Sequence, residues 1–82
     1  MSHVVTVYTR AGCHLCELAL EELRGLERPD LEIETVDIEA DEALLVRYLE
    51  RIPVVALDGV ELYDFHVDTG DLLHRLDRPA GR

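Results

Sequence analysis

Apolar and polar positions change their period along the chain, and each change marks a new element. His3–Thr9 (His-Val-Val-Thr-Val-Tyr-Thr) is nearly continuous in β-branched and aromatic residues. That pattern predicts a central strand buried on both faces. Arg10-Ala11-Gly12 reads as a turn. From Cys13 to about Leu26 the spacing becomes helical. Leu15, Ala19 and Leu26 fall on one line, Cys16, Leu20 and Leu23 on the next, and Leu18 widens the stripe; Glu17, Glu21 and Arg24 fall mostly outward. Gly25 and then Arg28-Pro29-Asp30 stop the helix. Leu31–Ile38 alternates, with Glu32 and Glu34 on a wet face, as near a sheet edge. The shift at Val36 and Ile38 points to a bulge or a change of cover. Asp41 caps a second helix that runs to about Arg51. Its inner face is Leu44, Leu45, Tyr48 and Leu49, with Glu42, Arg47 and Glu50 outward. Ile52–Leu57 is a third strand, Asp58-Gly59 a type I′ hairpin turn, and Val60–Tyr63 the antiparallel return. Asp68 caps a last helix reaching about Leu76, with Leu72, Leu73 and Leu76 inward, and the tail Arg78–Arg82 should fray.

The order is βαβαββα. It predicts an α/β domain with a four-stranded mixed sheet flanked by helices on both faces. The first two strands should pair parallel through a right-handed crossover. At 82 residues, positions 1–82 form one domain with an ordered core over about 3–76. An apolar share of 48% suits a packed core and is too high for disorder.

Charge narrows the partners. Eighteen acidic residues against eight basic ones, all arginine, give a net charge of −10. This argues against nucleic acid and against anionic membrane surfaces. It favours solubility and self-repulsion between copies, hence a monomer, and more weakly it could steer a basic partner. No targeting pattern and no membrane-length apolar run is visible, so the expected compartment is the cytoplasm.

The chemistry sits at the mouth of the first helix. Cys13 and Cys16 are three apart, on one side of a helix and within disulfide reach. Near the helix start, Cys13 faces unpaired N–H groups and the positive end of the dipole, which favour a thiolate. Cys13 is therefore the expected nucleophile, and Cys16, a turn deeper, the resolving thiol. Protonated His14 and Arg10 would tune Cys13 toward the thiolate, and Glu17 would oppose them. A bridge this short adds little stability by chain entropy, which points to function rather than stapling. A structural zinc site wants four ligands, and two cysteines with four scattered histidines form no such set, so no metal is expected. An iron–sulfur cluster would need a dimer supplemented by glutathione. A pair of incidental buried cysteines is the other alternative, weakened by the strand-to-helix position of the motif. His3 and His74 read as surface or edge residues, His66 as a solvated loop histidine, and Tyr8 and Phe65 as core or wall.

A C-x-x-C after the first strand, followed by a proline that opens a β-hairpin, resembles the thioredoxin fold. Size and the lack of an extra N-terminal strand and helix resemble glutaredoxin. Gly12-Cys13-His14-Leu15-Cys16 and Arg51-Ile52-Pro53-Val54 are similar to small bacterial glutaredoxin-like proteins, over residues 3 to about 76. The resemblance implies thiol–disulfide oxidoreductase activity on protein or glutathione mixed disulfides. It implies a cis Ile52–Pro53 bond beside the thiols, with the backbone of Ile52 pairing with the substrate chain. It places Arg10 where related proteins carry a lysine and Asp68 where they carry a glutathione-binding aspartate. Two features depart from it: His-Leu replaces Pro-Tyr between the cysteines, and no Gly-Gly precedes Asp68. No cofactor is expected to stay bound. The electron donor would be glutathione or a thioredoxin-reductase-type flavoenzyme. The alternative from another class is a non-enzymatic thioredoxin-like module that binds a partner or a metal.

Overall fold

The structure, a computed structural model, describes residues 2–77. The chain runs β1 (His3–Thr9), α1 (His14–Gly25), β2 (Leu31–Asp37), a 3-10 turn (Ile38–Ala40), α2 (Glu42–Tyr48), β3 (Val54–Leu57), β4 (Val60–Asp64) and α3 (Thr69–Leu76). The strands form one four-stranded sheet in the order β2-β1-β3-β4. β1 and β2 are parallel, from His3 opposite Leu31 to Thr9 opposite Asp37, as a strand–helix–strand crossover requires. β3 runs antiparallel to β1, and β4 antiparallel to β3. The predicted element order, mixed sheet and two-sided helical cover are the observed architecture.

Alternation along the strands divides the core in two. Val5, Val7 and Val55 face Ala19 and Leu23 of α1 and Val67, Leu72 and Leu76 around α3. On the other side Val54 meets Ile38 and Tyr48, with Tyr8, Leu44, Leu45 and Ile52 around them. The hairpin turn is as expected: Asp58 (φ 49°) and Gly59 (φ 89°) both take the left-handed conformation a type I′ turn needs.

Local details differ from the sequence reading. β1 is sealed on one face only: Val5 and Val7 are fully buried, whereas Val4, Thr6 and Tyr8 are half-buried. α2 is too short to cover the rest, and the Thr6 hydroxyl donates to the exposed Glu34 carboxylate at 3.0 Å. α2 ends at Tyr48 rather than Arg51, and Leu49 is 40% exposed. β3 starts at Val54, after the proline that cannot donate to a ladder. β2 keeps unbroken register with β1, so no bulge lies there. The change at Ile38 is the 3-10 turn, capped by Asp37. The irregularity falls instead between β3 and β4, where Tyr63 faces Val55 but Glu61 faces Ala56, leaving Leu62 as the extra residue. At the end of α1, Gly25 is still helical and Glu27 (φ 51°) makes the left-handed turn. The expectation for the tail Arg78–Arg82 lies outside the described residues. No helix among the described residues is long and apolar enough to cross a membrane.

Candidate functional site

Register gathers the site. Thr9 lies opposite Asp37 and Tyr8 opposite Val54. The turn into α1, the 3-10 turn after β2 and the Ile52–Pro53 segment before β3 therefore share one end of the sheet. Gly12 (φ 80°) reverses the chain there; open space surrounds it, so the backbone angle alone calls for glycine.

Cys13 is the N-cap of α1. Its Sγ accepts the Cys16 N–H at 3.2 Å, the role a serine or aspartate oxygen usually takes. Its carbonyl accepts the Glu17 N–H at 3.2 Å, the first bond of the helix. The two cysteines form a disulfide with Cα atoms 5.2 Å apart. Cys16 is 1% exposed, and Cys13 is half-buried. The outer sulfur thus receives an amide donor at the positive end of a helix, and the inner one is sealed beneath it. On reduction, both effects favour negative charge on Cys13 over Cys16.

The Ile52–Pro53 bond is cis. Phe65, in the left-handed region at φ 70°, aims its N–H at the carbonyls of Pro53 (2.9 Å) and Arg51 (3.2 Å). This ties the segment to the end of β4. Among the described residues no backbone hydrogen bond uses the N–H or carbonyl of Ile52.

The other predicted residues spread around this end. His14 is the first helical residue and is exposed. The Arg10 guanidinium pairs with the Glu39 carboxylate at 2.8 Å. Asp68 is exposed and caps α3, accepting the Asp71 N–H at 3.0 Å. His66 is exposed in the loop before it. Phe65 is half-exposed at 50%, so its ring is not part of the core. Tyr8 is half-buried and stacks on Tyr48 at 4.4 Å. His3 lies at the far end of β1, its ring 2.7 Å from Asp58, and His74 is exposed on α3. No group of three or more His, Cys, Asp or Glu among the described residues is arranged to hold a metal ion.

Residues 4–78 match the family described as Glutaredoxin-like domain (DUF836). The chain belongs to this glutaredoxin-like family. It is similar to the solution structure of protein Ne2328 from Nitrosomonas europaea: 31% identity, TM-score 0.79, 92% of each chain covered. It is also similar to the crystal structure of protein XcR50 from X. campestris: 36% identity, TM-score 0.73, covering 92% of this chain and 99% of that one. A thioredoxin from Fasciola hepatica shares the fold, at 21% identity and TM-score 0.61, with 92% of this chain and 78% of that one covered. No curated protein matches the sequence.

In this glutaredoxin-like domain a charged network, unseen in the sequence, braces the proline segment. Arg51 donates to Glu61 at 3.1 Å and to Asp64 at 3.3 Å, and the Tyr48 hydroxyl donates to Glu61 at 2.5 Å. The Tyr48 hydroxyl, then the Arg51 guanidinium, hold the Glu61 carboxyl below its ordinary range against some desolvation. Burial, then the Glu61 carboxylate, push Tyr48 up to about 12. The extra residue Leu62 is what turns Glu61 to this face. Glu39 and Glu61 were missed because their partners are distant in the chain; only the apolar anchors Ile38 and Tyr48 hinted at where they would land.

Proposed function

We propose that this glutaredoxin-like domain is a thiol–disulfide oxidoreductase with Cys13 as nucleophile and Cys16 as resolving thiol. One observation carries the reading: a disulfide-bonded Cys13 whose Sγ also receives the Cys16 N–H at the N-cap of α1. The Cys13 thiolate attacks a substrate disulfide R–S–S–R′, forms Cys13–S–S–R and releases R′–S⁻. Cys16 loses its proton and displaces R–S⁻, leaving the Cys13–Cys16 disulfide and two electrons on the substrate thiols. Two further thiol electrons, from glutathione or a thioredoxin-reductase-type flavoenzyme, regenerate the dithiol.

The substrate is a disulfide in a protein or a small mixed disulfide. The unpaired peptide groups of Ile52 offer a pairing edge for a substrate chain next to the buried Pro53. The domain works as a monomer with no resident cofactor. The cycle suits the cytoplasm, where disulfides are transient and catalytic.

The test uses an insulin-type or small-molecule disulfide with a thiol donor. Cys13→Ser abolishes turnover, and Cys16→Ser accumulates a mixed disulfide on Cys13, visible by mass. Full turnover in Cys13→Ser refutes the assignment.

A further inference from the structure

The charge of the turn that carries Cys13 acts on any charged disulfide that approaches the sulfur; this step rests on the reading of Cys13 as the exchange nucleophile. Arg10 is the only arginine between β1 and α1. Its carbonyl accepts the Cys13 N–H at 3.3 Å, so it belongs to the turn that carries the sulfur. Its guanidinium is not left to solvent. Nη2 lies 2.8 Å from Oε2 of Glu39, with both side chains about two-fifths exposed (39% and 42%). The backbone position of Glu39 is fixed. Its N–H donates to the Asp37 carboxylate at 2.9 Å, and its neighbour Ile38 is fully buried. Asp37 in turn sits opposite Thr9, next to Arg10.

We infer that Glu39 is a specificity-determining residue: by pairing with the Arg10 guanidinium it cancels the one positive side chain of the turn that carries Cys13, so the site takes cationic or neutral disulfides in preference to anionic ones. Other carboxylates of this end add to the negative field, and the nearby Arg51 is itself paired with Glu61 and Asp64. Glu17 stands exposed in the first turn of α1, Asp37 and Asp41 cap the following turns, and the chain carries −10 overall. Glutathione disulfide, an anion, then oxidises this dithiol more slowly than cystamine, a dication of the same chemistry, the more so at low salt. One unit charge acting on another across roughly 10 Å of water changes a rate by about twofold. A Debye length of about 8 Å at physiological ionic strength screens most of that.

Alkylation of Cys13 reads this charge directly. In the Cys16→Ser protein, Cys13 is the only thiol. Its rate with iodoacetate, an anion, is divided by its rate with neutral iodoacetamide, so that the thiolate fraction cancels. At low salt, adding Glu39→Gln raises the ratio about twofold or more, and adding Arg10→Gln lowers it. Both together return it close to the starting value, and ~1 M salt flattens all three, since the Debye length falls to about 3 Å. With both cysteines present, Glu39→Gln shifts turnover toward glutathione disulfide relative to cystamine in the same sense. An unchanged or lowered iodoacetate ratio in folded Glu39→Gln overturns the inference, as does a double variant that fails to return. Absence of turnover with both disulfides strikes instead at the oxidoreductase reading, and the alkylation ratio still decides the role of Glu39.

Discussion

Tyr48 has two roles, and only one belongs to the hydrophobic pattern. Its ring closes the smaller core against Tyr8, and its hydroxyl donates to Glu61. Burial and the neighbouring carboxylate raise its pKa from 10.0 to about 12; burial and Asp71 do the same for Tyr63. The folded state therefore binds these protons more tightly than the unfolded chain. Their contribution to stability is full below about pH 10 and is lost as pH rises toward about 12. A tyrosinate absorbance titration should show these two ionising near pH 12. Glu61 acts at the acid end with the opposite sign. Its pKa is lowered in the fold, so its contribution is present above the ordinary carboxylate pKa and is lost as pH falls through the lowered value. Tyr48→Phe should cost about 1 kcal/mol in urea unfolding at pH 7. At this scale the sequence revealed the cysteine pair, because C-x-x-C is a local spacing. It did not reveal Arg10–Glu39, because eighteen carboxylates offered themselves and only the fold selects one.

Among the elements, α1 shows what periodicity can and cannot determine. Its existence and extent follow from the spacing to within a residue at each end: Cys13 is its N-cap, not its first helical residue. Its buried stripe is narrower than the pattern suggested: Cys16, Ala19 and Leu23 are sealed, whereas Leu15 and Leu18 are 47% and 41% exposed. Apolar spacing does not encode how wide a neighbouring sheet is. The apolar pattern runs past the end of α2 because Leu49, its C-cap, still has helical backbone and donates its N–H to the Leu45 carbonyl, and the chain leaves the helix only after it. The β4 irregularity leaves no mark in Val-Glu-Leu-Tyr, since either register buries an acceptable set. Two substitutions test these assignments. Gly25→Ala, in helical backbone with open space at its Cβ, should stabilise the domain by about 0.5–1 kcal/mol and raise Tm. Asp41→Ala removes the acceptor that meets the Ala43 N–H at 2.8 Å and should cost about 1 kcal/mol, measured the same way.

At the scale of the molecule, the fold class was legible because a β-branched strand, an amphipathic helix and a second strand leave few topologies open. The sheet places the ends of β1 and β2 and the start of β3 together, and this creates a site from segments some forty residues apart in the chain. The core that holds this sheet end is small. Leu72→Ala, at a fully buried position, should cost about 2–5 kcal/mol, a large share of the 5–15 kcal/mol typical of a domain, and should be visible as a lowered urea midpoint. The account as a whole depends on Cys13 being more acidic than an ordinary thiol because of where the fold puts it. The direct measurement is the ultraviolet thiolate titration of the Cys16→Ser protein, which keeps the backbone N–H of residue 16 and the α1 dipole. A midpoint well below the ordinary value of about 8.5 is the predicted result, and a midpoint at or above it contradicts the account.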